Sequence, residues 1–222
     1  MKMKLAVSIF SAILLVSCGS SKQFTSQDVA TVKVKRIAVL PVRVNFTGNL
    51  PKNITQQMID SMVAQQGSVF QHELAANLLR YNGNKNKIQG ADIQSVDKTN
   101  GLLQKNHLTA AGVSNMDPDE LAKLLEVDAV VRMNVTSNRI MSELASLGLG
   151  TLRNILFWGT NADPSISGSI TNKTAKVYAD CALLKDGKTL WTAQYDEPTD
   201  WNTSANDVIA KITKKMGKGF PY

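Results

Sequence analysis

The chain has 222 residues, 25 Lys and Arg against 18 Asp and Glu, a formal charge of +7, and 43% hydrophobic residues. That length sets a prior of one domain, or two, and is ample for a real hydrophobic core. Two histidines without a second ligand at metal spacing exclude a recognisable metal centre, and the basic groups 33–36 and 211–218 lack the interleaved aromatics of a nucleic-acid interface.

Lys2 and Lys4 precede a short apolar run that ends at Ser17-Cys18-Gly19-Ser20, the layout of a secretory signal peptide. At about 13 residues the run falls well short of the roughly 20 needed to span a bilayer. Leu15-Val16-Ser17-Cys18 resembles the lipobox of bacterial lipoproteins, and that resemblance implies cleavage before an acylated Cys18. Two or three acyl chains would hold the protein stably, where one chain holds only reversibly. A plain secreted protein with a free Cys18 is the alternative. The expected division is a signal peptide over 1–17, a lipidated flexible tether over 18–32 and a single folded domain over 33–222. Cleavage removes Lys2 and Lys4 and leaves a modest basic excess.

The body opens with a β-branched stretch over 36–46, a predicted strand in which Pro41 implies a bulge or a sheet edge. Asn53 with Gln56 offers a capping box. From Ile54 through Met58, Met62, Phe70, Leu74 and Leu78, apolar residues recur at helical spacing up to Asn82-Gly83, with Gly67 a candidate kink. Residues 87–113 carry weaker signals, a short strand over 88–96 and a short helix over 101–108. Asp117-Pro118-Asp119-Glu120 is a strong helix start, with Leu121, Leu124 and Leu125 on the buried face. A strand over 128–135 follows. Two alternating segments, 174–184 and 189–195, flank Lys185-Asp186-Gly187-Lys188, a hairpin signal. A last helix over 204–216 buries Val208, Ile209 and Ile212, with Lys211, Lys214 and Lys215 placed to suit its C-terminal dipole. This order predicts an α/β (α+β) fold, a mixed β-sheet flanked by helices.

Residues 142–159 do not fit that scheme. They form a predicted helix whose apolar face holds Leu144, Leu147, Leu152, Ile155 and Leu156 and which ends on Phe157 and Trp158, while Gly148 and Gly150 weaken its helix propensity. Three roles are open to it: a core helix beneath the sheet, a contact between protomers, or an element resting on the membrane interface. The same residues are the candidate partner or membrane contacts.

Chemistry-bearing motifs are absent from the sequence. There is no Gly-x-Ser-x-Gly elbow, phosphate loop, dinucleotide fingerprint or Cys-x-x-Cys pair. Carboxylates such as Asp117, Asp119 and Glu120, or Asp180, Asp186 and Asp196, are accounted for by caps and turns. With Cys18 committed to lipid, Cys181 is expected as a buried core thiol. The expectation is a protein that is not an enzyme and takes no cofactor, metal or nucleic acid.

Three blocks resemble a superfamily of envelope lipoproteins that includes the curli-secretion lipoprotein, the penicillin-binding-protein activators and the N-terminal domain of the Tol-system β-propeller protein. They are Lys35-Arg36-Ile37-Ala38-Val39-Leu40-Pro41, the helix-to-strand passage 120–131 through Val127-Asp128, and the hairpin 177–191 whose second strand begins near Trp191. The resemblance implies an open mixed sheet packed by helices, on a lipid tether in the periplasm, in proteins that bind other proteins. Gly19 is not the aspartate that marks inner-membrane retention in enteric bacteria, so the resemblance favours the periplasmic face of the outer membrane. The expected role is a non-catalytic protein-binding or assembly factor of the cell envelope, with envelope proteins or further copies of itself as partners. Alternatives are a homo-oligomeric secretion or channel component and, from another class, an enzyme or carrier for an envelope polymer.

Overall fold

A computed structural model describes residues 21–47, 55–83, 90–137, 175–199 and 204–222. Among them the chain forms one mixed sheet of seven strands and five α-helices. Strands β1 (Ser21–Thr25), β2 (Arg36–Val39) and β3 (Arg43–Phe46) precede helix α1 (Gln56–Tyr81). Strand β4 (Asp92–Ile93) leads to three short helices, α2 (Val96–Lys105), α3 (Ala110–Asn115) and α4 (Pro118–Leu124). Strands β5 (Ala129–Ser137), β6 (Ala175–Lys185) and β7 (Lys188–Thr199) are followed by helix α5 (Ala205–Gly219). The strand order is β1-β7-β6-β5-β2-β4, with β3 also beside β5; pairing is parallel among β2, β3, β4 and β5 and antiparallel from β5 to β1.

The stretch predicted as one strand over 36–46 is two. Val39 pairs with Val131 and Arg43 with Asn134, so β2 and β3 lie along the same neighbour with one extra residue between them. That residue count is a bulge, at Pro41, which has no N–H to give the ladder.

Residues 21–30, read from sequence as part of a flexible tether, are ordered against the sheet. Ser21 to Thr25 pair antiparallel with Tyr195 to Trp191, and a 3-10 turn over Gln27–Ala30 buries Val29. The segment lacks apolar alternation, so its strand state comes from β7 rather than from local propensity. Between Cys18 and the sheet stand only residues 19 and 20.

Helix α1 runs unbroken through Gly67 and is capped by Thr55, two residues after the expected Asn53, its hydroxyl accepting from the Met58 N–H at 3.3 Å. Gly67 is there for proximity: a Cβ at that position would lie 2.5 Å from the Val42 carbonyl oxygen. The α4 cap is as expected, with Asp117 accepting from the N–H groups of Asp119 and Glu120 at 2.8 and 3.3 Å. In the β6–β7 turn Asp186 and Gly187 take φ of 49° and 67°, the double positive of a type I′ turn.

Helices α1 and α5 cover one face of the sheet. Phe70, Leu74, Leu78, Val131, Met133, Leu183, Trp191, Ile212 and Phe220 are at most 1% exposed there. Each such side chain contributes about 1.5–3 kcal/mol by leaving water. On the opposite face Leu103, Val113, Leu121 and Leu125 from α2, α3 and α4 pack on Ala38, Leu40 and Val130. That second layer covers the β2 side and the start of β5.

Candidate binding surface

Cys18 and the apolar positions Leu144, Leu147, Leu152, Ile155, Leu156, Phe157 and Trp158 lie outside the described residues. The points at which the chain leaves the sheet toward them are described. Ser21 pairs with Tyr195, Tyr195 with Ala179, and Ala179 with Val135, while Ser137, the last residue of β5, pairs with Val177 near the start of β6. The chain therefore departs toward Cys18 and toward 138–174 from the same end of the sheet.

Among the described residues, no helix covers the second face of the sheet beyond α4. Strand alternation sends Val135, Ala179, Cys181, Ala193 and Tyr195 into the core, so their neighbours point the other way. Register aligns Arg43, Asn134, Asp180, Gln194 and Lys22 in one cross-strand row. Within it Asn134 Nδ2 donates to Asp180 Oδ2 at 2.9 Å. A second row holds Asn45, Thr136, Tyr178 and Asp196, and a third Arg132, Ala182, Thr192 and Phe24. Two large apolar groups stand out of this polar field: Phe24 is 61% and Tyr178 46% exposed. Neighbouring strands are about 4.8 Å apart, so the rows present amides, hydroxyls and mixed charges at a regular spacing.

Arg132 marks the boundary between the covered and the open parts. Its Nη2 donates to the Met116 carbonyl at 2.8 Å, tying the α3–α4 connection to β5. Burial lowers its pKa, opposed by the nearby Asp117 carboxylate.

Several other ionisable groups do structural work. Asp128 accepts from the N–H groups of Lys35 and Arg36, both at 2.9 Å. Asp28 pairs with Lys188 at 3.0 Å. His72 and His107 are exposed on separate elements, and among the described residues no three of His, Cys, Asp and Glu gather as a metal site. Cys181 is 2% exposed, and burial, reinforced by Asp180, pushes its thiol pKa up. Among the described residues no helix is long and apolar enough to cross a membrane. What the open face supplies is hydrogen bonding, charge and two apolar contacts.

This face was not among the residues singled out from the sequence. Its members come from five strands, and each alone reads as an ordinary outward polar position. The alternation within 176–184 was the one local sign of it.

No protein-family model matches the chain, and no curated protein matches it. Solved structures do. A PelC dodecamer from Paraburkholderia phytofirmans aligns over 92% of this chain and 98% of its own, at 11% identity and a TM-score of 0.43. A second PelC dodecamer from that organism, a single-residue variant, gives 92%, 100%, 12% and 0.45. Lipoprotein GNA1162 from Neisseria meningitidis aligns over 82% of this chain and 94% of its own, at 14% identity and a TM-score of 0.47. The chain is thus distantly similar, over most of its length, to a Neisseria lipoprotein and to PelC.

Proposed function

We propose that this chain is a lipoprotein of the cell envelope, anchored through an acylated Cys18, whose folded domain binds or assembles other envelope proteins without chemistry of its own. The observation that carries the reading is the common exit: the lipobox lies three residues before Ser21, and the apolar segment 142–159 leaves from the same end of the sheet. A lipid at Cys18 would bring that end of the sheet close to the bilayer surface, where an apolar sequence ending in tryptophan is favoured. The open sheet face, with Phe24 and Tyr178, would stay available to a partner. By resemblance to the enteric sorting pattern, Gly19 favours the outer membrane for the anchor.

Mass spectrometry of the purified native protein tests the anchor, with diacyl or triacyl mass on a new N-terminal Cys18 expected. Affinity capture from intact envelopes with wild type and Leu152→Asp tests the apolar segment. Recovery of the same partners in equal amounts would remove its binding role.

A homo-oligomeric secretion component is the second reading, favoured by the outer edge of β1, which has no neighbouring strand among the described residues. Unpaired edges invite strand addition by another copy. A detergent-extracted protein that runs only as a monomer would eliminate it.

A further inference from the structure

Four lysines share one face of α5. At 3.6 residues per turn, Lys211, Lys214, Lys215 and Lys218 fall within an arc of roughly 100°, while Val208, Ile209, Ile212 and Met216 face the core on the other side. Lys214 and Lys218 are exposed, and Lys215 holds its ammonium 4.4 Å from the Tyr195 ring centroid. Asp207 lies on the same arc one turn earlier, which leaves the positive charge concentrated over 211–218. The helix dipole accounts for cations in the last turn only, and this stripe runs through two.

Its position is the informative part. Tyr195 is the direct partner of Ser21, and the Gln23 side-chain amide lies against Gly219, so the C-terminal half of α5 flanks β1. Three extended residues from Cys18 to Ser21 reach at most about 11 Å, which is within a headgroup layer of an acyl anchor. On the reading that Cys18 is acylated, we propose that the lysine face of α5 rests on anionic phospholipid headgroups and turns β1 and α5 toward the bilayer. The charge is of the right sign, and basic groups gain affinity for a surface within a Debye length of it.

The test uses the mature-length chain carrying Cys18→Ser, which has no acyl chain and so separates this proposal from the anchor. Co-sedimentation is compared on phosphatidylcholine vesicles with and without phosphatidylglycerol, at low and at physiological ionic strength. The expected result is retention on the phosphatidylglycerol vesicles only, weakened by salt and about tenfold or more by Lys214→Gln with Lys218→Gln. The Lys214→Arg, Lys218→Arg chain should bind as the unsubstituted one does, and an unchanged unfolding midpoint shows that the Gln chain is folded. Equal retention on both vesicle types, no retention, or undiminished binding of the Gln chain would overturn the proposal while leaving acylation of Cys18 to its own mass measurement. Should the Gln pair not fold, the salt and lipid dependence of the unsubstituted chain decides.

Discussion

Asp128 and Arg36 hold each other by two reciprocal hydrogen bonds: the Arg36 N–H donates to Asp128 Oδ2 at 2.9 Å, and the Asp128 N–H donates to the Arg36 carbonyl at 3.0 Å. With the Lys35 N–H added to the same oxygen, the carboxylate fixes where β2 starts relative to β5. Burial works against the charged form, but the two N–H donors and the ammonium groups of Lys185 and Lys35 outweigh it and hold the carboxyl below its ordinary value. A carboxyl with a depressed folded pKa contributes stability above its unfolded value, near 3.9, and that contribution disappears as pH falls through the folded value. Asp128→Ala should cost about 0.5–1.5 kcal/mol at neutral pH, because the two N–H groups that lose this acceptor are exposed and water takes its place. The gap between wild type and variant, followed by urea midpoints, should narrow once the pH drops below 4 or so. A constant gap down to the acid limit would show that charge plays no part in this join.

Three glycines separate helix propensity from packing. Gly67 and Gly217 face backbone oxygens, with a new Cβ 2.5 Å from Val42 O in one case and 2.7 Å from Asn77 O in the other. Replacing Gly by Ala gains about 1 kcal/mol of propensity, but overpacking against backbone costs about 1–3 kcal/mol. Gly67→Ala and Gly217→Ala should therefore lower the unfolding midpoint. Gly101, inside α2 with nothing within 4 Å of its would-be Cβ, should raise it when changed to Ala.

Cys181 sits on the core side of β6 opposite Met133 and Ala193. Burial first, and the Asp180 carboxylate second, favour the thiol over the thiolate that reacts. Thiol reagents should leave Cys181 of the folded protein untouched at mildly alkaline pH and modify it fully in denaturant. Rapid labelling of the native protein would place this strand outside the core.

How much of this was legible in the sequence follows the range of the forces involved. The Asp117 cap, the Asp186-Gly187 turn and the apolar face of α5 are set within a few residues of chain, and each appears where local chemistry put it. Pro41 also announced its bulge. Strand β1 was hidden because Ser21–Thr25 becomes a strand only by pairing with β7, over 160 residues away. Strand β4, two residues long, and α3 carry too few residues to show a period. The row from Arg43 to Lys22 was invisible for a stronger reason: it exists only once five strands are in register.

The C-terminal residues make the last case, since the final helix was expected to run to about 216 and it continues to Gly219. Phe220 is 1% exposed and meets Trp191 edge to face, with centroids 5.3 Å apart and planes at 89°, and Tyr222 packs beside it at 5.9 Å. Edge-to-face pairs add about 0.5–1.5 kcal/mol to what burial alone provides. The cluster closes the layer between α5 and β7. Phe220→Ala should cost about 3–5 kcal/mol by opening a cavity beside Trp191, seen as a lower urea midpoint and a red shift in tryptophan emission as water enters. Phe220→Leu keeps most of the volume and should recover most of that loss. If Phe220→Ala unfolds at the wild-type midpoint, the C-terminal turn is not part of the core.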